Sequence, residues 1–309
     1  MTAIAADALQ TAFAGELLVP GDAKYDELRR VFNGMIDRCP AVIARCTCTA
    51  DVVAAVNHGR EHGLPVAVHG GGHGVAGHAV CEGGVMIDLR PLKGVEIDPQ
   101  RRTTRAQAGL TWGEFDAATQ EHGLAVTGGR MSTTGIAGLT LGSGSGWLER
   151  KFGLSADNLL SAEVVLADGS VVTASEQENP DLFWGLRGGS GNFGVVTEFE
   201  FQLHPVGPML FGGMVLYPGD CAREVLRSFR QFMAEAPDEV GGAAALITAP
   251  HAPFVPEEAR GKPAVGIIAC YVGEPDEGEQ MLAPLRHFGR PAAERTAAYM
   301  EYQGKGWMV

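Results

Sequence analysis

The chain has 309 residues, of which 45% are hydrophobic, so it is long enough for one large domain or two smaller ones with a substantial core. Its formal net charge is −13 and no long basic run occurs, which argues against a nucleic-acid partner, because such partners are bound chiefly through Lys and Arg. The six cysteines are scattered, and residues 1–18 lack the basic and apolar segments of a signal peptide. We therefore expect a cytoplasmic protein with no membrane contact.

Hydrophobic periodicity predicts helices that alternate with strands over the first two thirds of the chain. Asp168-Gly169 is typical of a hairpin turn, and Thr49 is expected to cap a helix that Gly63 ends. In chain order, the predicted elements are a helix over 2–13, a strand over 41–45, a helix from 49 to 62, strands over 66–68, 85–89, 94–98 and 103–108, a helix over 111–122, the hairpin strands 161–167 and 170–173, a helix over 181–186 and a strand over 195–203.

A proline- and glycine-containing stretch, His204–Pro208, indicates a domain boundary, because the glycine clusters stop there. The elements predicted after it are strands over 211–217, 243–248 and 264–271 and helices over 222–235 and 277–288. The sequence thus predicts an N-terminal helical segment over residues 1–37 and two domains over 38–206 and 207–309.

Glycine is unusually frequent, with 43 residues, and it concentrates in three stretches that each lie beside a predicted strand: 70–77, 128–146 and 188–194. Backbone N–H groups in such loops can cradle a pyrophosphate. If the three loops converge, they could surround an extended ligand such as FAD. The alternative is three unrelated tight turns.

Two shorter motifs give weaker evidence of function. Gly72-His-Gly-Val-Ala-Gly77 matches the dinucleotide fingerprint G-x-G-x-x-G, but that fingerprint should open a helix, and here a strand follows. His58-Gly-Arg-Glu-His62 matches the H-x-x-E-H pattern of zinc peptidases, but Gly59 weakens the helix and no third ligand is evident. We therefore predict neither a nicotinamide cofactor nor a metal.

Taken together, the spaced motifs resemble the FAD-binding domain of the p-cresol methylhydroxylase (PCMH) type, and more narrowly the berberine bridge enzyme-like oxidases. The likeness covers residues 39–206. The motifs that carry it are Val68–Gly77, Val85–Leu89, Gly135–Gly142, Gly146–Leu154, Asp157–Leu160, Asn179–Trp184 and Gly188–Thr197. The resemblance implies an α+β fold, in which a two-lobed PCMH-type FAD-binding domain is followed by a partial antiparallel-sheet substrate domain.

The resemblance also gives roles to single residues. His73 matches the histidine that bonds covalently to the 8α-methyl group of FAD, and Met131 stands where some members carry a second attachment to a cysteine, so a single covalent link is implied. His69 stands where the group usually has arginine. The other cofactor-binding residues implied are Gly70, Gly71, Gly72, Gly74, His78, Gly128, Ser132, Thr133, Gly135, Gly138, Gly142 and Val196.

The implied function is that of an FAD-dependent oxidase. Hydride would pass from an alcohol or similar C–H group of a small molecule to flavin N5, and oxygen would reoxidise the flavin. Relatives continue past Tyr302, and their active-site base comes from that later part, so no catalytic residue is assigned here. The alternative is a non-catalytic flavin-binding protein, or a truncated chain that needs a partner for activity.

Overall fold

The computed structural model describes Leu9 and residues 13–301, which divide into two compact units. Within these residues, the first unit contains 13–146 and 154–204, and the second contains 147–153 and 205–301. The predicted helix over 2–13 lies outside the described residues except for Leu9 and Phe13. No helix in the described part of the chain is both long and apolar enough to cross a membrane.

The strands and helices that the structure contains follow the predicted order closely. The strands are β1 (Glu16–Leu18), β2 (Val42–Arg45), β3 (Val66–His69), β4 (Val85–Asp88), β5 (Val95–Asp98), β6 (Thr103–Gln107), β7 (Leu124–Ala125), β8 (Leu159–Val165), β9 (Val171–Ser175), β10 (Val195–Gln202), β11 (His204–Pro205), β12 (Met209–Pro218), β13 (Val240–Thr248), β14 (Pro263–Tyr271) and β15 (Ala293–Glu301). The helices are α1 (Tyr25–Leu28), α2 (Thr49–Glu61), α3 (Trp112–Gln120), α4 (Ile136–Leu141), α5 (Glu149–Phe152), α6 (Pro180–Leu186), α7 (Ala222–Glu235) and α8 (Pro275–Leu282).

The first unit is built on two sheets. One has the strand order β1-β2-β4-β3, with β2, β4 and β3 parallel and β1 antiparallel to β2. The other is antiparallel, with the order β5-β6-β10-β8-β9. Strands β8 and β9 form the predicted hairpin, and Gly169 supplies the positive φ of +86° that its turn needs.

Helix α2 shares a single hydrophobic core with both sheets of the first unit. Val52 and Ala55 are fully buried in the same cluster as Ile87 of β4 and Phe199 of β10. The prediction that Thr49 caps this helix is wrong, because Cys48 occupies the cap position. The Thr49 hydroxyl instead donates a 2.7 Å hydrogen bond to the Glu163 carboxylate on β8 and so ties the helix to the second sheet.

Helix α3 begins with a complete capping box. The Thr111 hydroxyl accepts from the Glu114 backbone N–H, and the Glu114 carboxylate accepts from the Thr111 N–H at 2.8 Å. Gly123, with a φ of +64°, follows the end of the helix. This reciprocal pairing fixes the start of α3, which matters because a glycine-rich loop is hydrogen-bonded to that end.

The second unit contains an antiparallel sheet with the strand order β13-β14-β12-β15, which confirms the expected antiparallel sheet. Helices α7 and α8 cover one face, where Val225 and Leu282 pack with Val215 and Ile267. Helix α5 belongs to this unit, because the Arg150 guanidinium donates to the carbonyls of Ala236 and Val240. Strand β15 was not predicted.

A row of polar side chains lies across the ends of the parallel strands β2, β4 and β3. Asp88 is fully buried and is held by the guanidinium of Arg90, with N···O distances of 2.8 and 2.9 Å, and by Arg45 at 3.4 Å. His69, the register partner of Asp88 on β3, is 2% exposed. Burial, assisted by Arg90, lowers the pKa of His69 to about 4. The ring is therefore neutral at neutral pH.

The loop after β3 packs directly against the backbone of the second glycine-rich stretch. A Cβ on Gly71 would overlap the backbone nitrogen of Gly135, and a Cβ on Gly135 would lie 2.6 Å from the nitrogen of Gly71. Real Cβ atoms do not approach backbone this closely, so both positions require glycine. This contact joins the first two of the three glycine-rich loops.

Protonation of His69 is expected to destabilise the first unit in acid. Because the pKa of His69 is about 4 in the folded chain and about 6.5 when unfolded, the unfolded chain takes up the proton first as the pH falls. Between pH 7 and pH 4 the free energy of unfolding should fall by about 3 kcal/mol more in the wild type than in His69→Gln. Denaturant unfolding of both proteins across this range measures the difference; parallel pH profiles would contradict it.

The backbone contact of Gly71 predicts a strong effect of a single methyl group. Gly71→Ala should destabilise the first unit by about 1–3 kcal/mol, because the added Cβ forces two backbone segments apart. Gly74→Ala is the matched control, since a Cβ at Gly74 would have nothing within 4 Å, and it should stay within about 0.5 kcal/mol of the wild type. Thermal unfolding midpoints compare the two variants, and equal midpoints would refute the prediction.

Candidate functional site

His73 lies in the loop that follows β3, at the carboxyl edge of the parallel strands, which is where ligands bind to such sheets. Its side chain is half-buried. The Nε2 atom lies 3.0 Å from the hydroxyl of Thr133, and Nδ1 lies 3.5 Å from the hydroxyl of Thr134. The imidazole ring also stacks on the ring of Phe32, with centroids 4.5 Å apart and planes 15° apart.

The loop that carries the two threonines is fixed by backbone hydrogen bonds to the start of α3. The N–H groups of Trp112 and Gly113 donate to the carbonyls of Thr134 at 2.8 Å and Ser132 at 2.9 Å. The N–H of Ile136 donates to Leu110 at 3.0 Å. Because the start of α3 is itself capped, Thr133 and Thr134 are presented to His73 from a fixed backbone.

Burial lowers the pKa of His73 below its ordinary value. The groups that the structure places against its ring, Phe32, Thr133 and Thr134, carry no charge. At neutral pH the imidazole is therefore neutral and keeps one nitrogen lone pair. Such a nitrogen can act as a nucleophile or as a hydrogen-bond acceptor, and the hydroxyls beside it can adapt to either role.

The third glycine-rich loop contacts the second one. The Gly188 N–H donates to the Leu141 carbonyl at 3.1 Å, and a Cβ on Gly188 would lie 3.1 Å from the Ser143 hydroxyl. Gly188 has a φ of +120°, which favours glycine. Since Gly71 meets Gly135 within the second stretch, that stretch contacts both of the others. These contacts favour connected loops over three unrelated turns.

The remaining residues that the sequence predicted as cofactor-binding lie in several environments. Gly70, Gly72 and Gly128 are packed against protein atoms, whereas Gly74 and Gly138 face open space that a ligand could enter. The Ser132 carbonyl accepts the hydrogen bond from Gly113. Gly142 ends α4, His78 is exposed, and Val196 is buried in β10. An open loop face beside a neutral imidazole and two hydroxyls fits FAD.

One contributor was not found from the sequence. Residues 31–38, here called the covering segment, lie over the His73 loop, although the sequence places 31–37 in a separate N-terminal segment. The Phe32 N–H donates to the Gly72 carbonyl at 2.9 Å, and the Asn33 amide donates to the Val75 carbonyl at 2.8 Å. No local pattern marks these residues, because their partners lie about forty positions later in the chain.

The H-x-x-E-H motif lies at the end of α2. The His62 Nδ1 atom is 2.9 Å from the His58 carbonyl oxygen, so that side chain bonds to its own helix end. Among the described residues, no group of three His, Cys, Asp or Glu side chains could hold a metal ion. The loop over 72–84 contains no helix, as expected for a match that is not a dinucleotide fingerprint.

Comparison with known proteins finds FAD-linked relatives of this chain. Residues 40–175 match the family described as FAD binding domain. Over 285 residues the chain is 32% identical to (R)-6-hydroxynicotine oxidase from Paenarthrobacter nicotinovorans, covering 92% of this chain and 60% of that protein. It is 31% identical to an FAD-linked oxidoreductase from Dictyostelium discoideum, covering 90% of this chain and 58% of that protein. The chain thus spans about three fifths of the length of these relatives.

The fold is also similar to that of a solved oxidase. The crystal structure of 6-hydroxy-D-nicotine oxidase from Arthrobacter nicotinovorans superposes with a TM-score of 0.82 at 31% identity, covering 93% of this chain and 62% of that one. The similarity therefore extends beyond the residues that match the FAD binding domain. By sequence and fold, residues 40–175 match an FAD binding domain, and most of the chain is similar to FAD-linked oxidases and oxidoreductases.

Proposed function

We propose that this chain binds FAD in the three glycine-rich loops and serves an oxidase that takes hydride from an alcohol or similar C–H group of a small molecule. The observation that carries the proposal is a neutral imidazole, His73, held by Thr133 and Thr134 at the carboxyl edge of a parallel sheet. The named oxidase among its relatives supports the reaction class. Oxygen is the proposed acceptor.

We propose that residues 38–206 form the FAD-binding domain and that 207–309 form a partial substrate domain. All six cysteines lie in the described residues as free thiols, which supports a reducing, cytoplasmic compartment. The proposed cofactor-binding residues are His73, Gly70, Gly71, Gly72, Gly74, His78, Gly128, Ser132, Thr133, Gly135, Gly138, Gly142 and Val196.

His73 is proposed as the single covalent attachment, because Met131 supplies no thiol at the second position. In the attachment step an imidazole nitrogen of His73 would form a C–N bond to the 8α-methyl carbon of FAD, with loss of one methyl C–H bond and the imidazole N–H bond. The two electrons and two protons so released would pass to dioxygen, which would leave as hydrogen peroxide. The neutral ring supplies the lone pair, while Thr133 and Thr134 hold its two nitrogen atoms in place.

When bound, FAD supplies the two-electron acceptor for substrate hydride. The contribution of this chain is to hold and orient that acceptor. The loop backbone is fixed at Gly71 and Gly135, so the amides and hydroxyls around His73 are in place before a ligand arrives. The Ser132 and Thr133 hydroxyls are proposed to contact the pyrophosphate and the ring edge.

The covalent assignment predicts that colour survives denaturation. Purified protein should show a flavin absorption spectrum, and acid-precipitated protein should remain yellow, whereas His73→Ala should lose its flavin on precipitation. Met131→Ala is the control and should retain it. Flavin that washes out of the denatured wild type, or a flavin peptide attached through cysteine in its mass spectrum, would refute single attachment through His73.

A flavin spectrum without peroxide release in a substrate screen would favour a non-catalytic flavin-binding protein.

The neutral state of His73 predicts the pH dependence of attachment. Only the unprotonated ring has the lone pair needed for the C–N bond, and burial lowers the pKa of His73 below 6.5. When apoprotein is mixed with FAD, the rate of covalent attachment should therefore rise with pH, with a midpoint below 6.5, and level off by neutrality. Fluorescence of denatured samples taken over time measures this rate. A midpoint above 6.5 would contradict the assignment.

A further inference from the structure

The covering segment, residues 31–38, binds successive carbonyls of the His73 loop. Besides the bonds from Phe32 to Gly72 and from Asn33 to Val75, the Arg38 guanidinium donates to the carbonyls of Gly77 and Val80 at 3.1 Å each. These contacts fall on both sides of His73 in the sequence. The segment therefore fixes the backbone from which the imidazole projects.

Phe32 contacts the imidazole itself. Its ring is nearly parallel to that of His73, 15° apart, at a centroid distance of 4.5 Å, which is a favourable stacking geometry. Phe32 is nevertheless 65% exposed, so the burial of apolar surface in a core does not explain its place. Met35, a second large apolar residue on the same segment, is 91% exposed and serves as a comparison for Phe32.

The stack and the two threonines restrict different motions of the imidazole. Hydrogen bonds at Nε2 and Nδ1 hold the ring edge, but hydroxyls rotate and can follow a tilting ring. A parallel aromatic ring fixes the plane in which the nitrogen lone pair lies. Formation of a C–N bond depends on that plane, because a nucleophile must approach along its lone-pair direction.

We propose that Phe32 is a positioning residue for covalent flavin attachment, which holds the plane of the His73 imidazole through ring stacking. The inference rests on the proposed function, because it concerns the attachment of FAD to His73. It assigns Phe32 no part in the reversible binding of FAD. A planar side chain at position 32 is therefore required for fast attachment, whereas an apolar side chain of similar size is not sufficient.

The test uses the full-length apoprotein and compares Phe32→Leu, Phe32→Tyr and Met35→Leu. Phe32→Leu should slow covalent attachment about tenfold, while the Kd for FAD measured before attachment stays within about threefold of the wild type. Phe32→Tyr keeps the planar ring and should attach FAD at nearly the wild-type rate, as should the exposed-site control Met35→Leu. A wild-type attachment rate in Phe32→Leu overturns the inference, and so does a loss in Phe32→Leu that Phe32→Tyr shares.

A second readout needs no bound flavin. In the NMR spectrum of the apoprotein, the ring current of Phe32 should shift the carbon-bound protons of the His73 imidazole upfield. Phe32→Leu should move them back toward their ordinary positions, whereas Met35→Leu should leave them unchanged. Unshifted protons in the wild type would overturn the inference. A wild type that never binds FAD overturns the proposed function together with the attachment role, whereas normal attachment in Phe32→Leu overturns the role of Phe32 alone.

Discussion

The close approach of Gly71 and Gly135 is the constraint on which the rest of the site depends. Two backbone segments from loops that are more than sixty residues apart meet where no Cβ fits. Their contact places the loop of Thr133 and Thr134 beside His73, and the capped start of α3 keeps it there. The glycines therefore act by bringing chain segments together, as well as by offering amides to a ligand.

Burial keeps His73 neutral, and the charged side chains at the ends of the parallel strands are paired among themselves. Asp88, at the end of β4, is matched by the guanidinium groups of Arg90 and Arg45, so this buried carboxylate is satisfied within its own cluster. The neighbouring His69 is also neutral because it is buried. The groups around His73 are then an aromatic ring and two hydroxyls, and a neutral ring with a lone pair is the result.

Much of the fold was predictable because it depends on residues that are close together in the sequence. Helix α7 was predicted with both ends correct, and the β8–β9 hairpin follows from Asp168-Gly169. Strand β1 is three residues long, too short for an alternation to be recognised. The misplaced cap of α2 has a tertiary cause: the Thr49 hydroxyl binds Glu163, more than a hundred residues away, and a local pattern cannot reveal such a partner.

The parts of the site that were predicted are likewise marked by local sequence, and the part that was missed depends on a distant partner. Repeated glycines indicate the loops within a short stretch of sequence, and a histidine among those glycines can be recognised from the same stretch. Phe32 carries no such mark, because an exposed phenylalanine has meaning only when the ring opposite it is known. The covering segment reaches His73 from about forty residues upstream through backbone carbonyls, and every residue has a carbonyl. Contacts of that kind leave no trace in residue type, so the part of Phe32 in orienting the imidazole had to come from the structure.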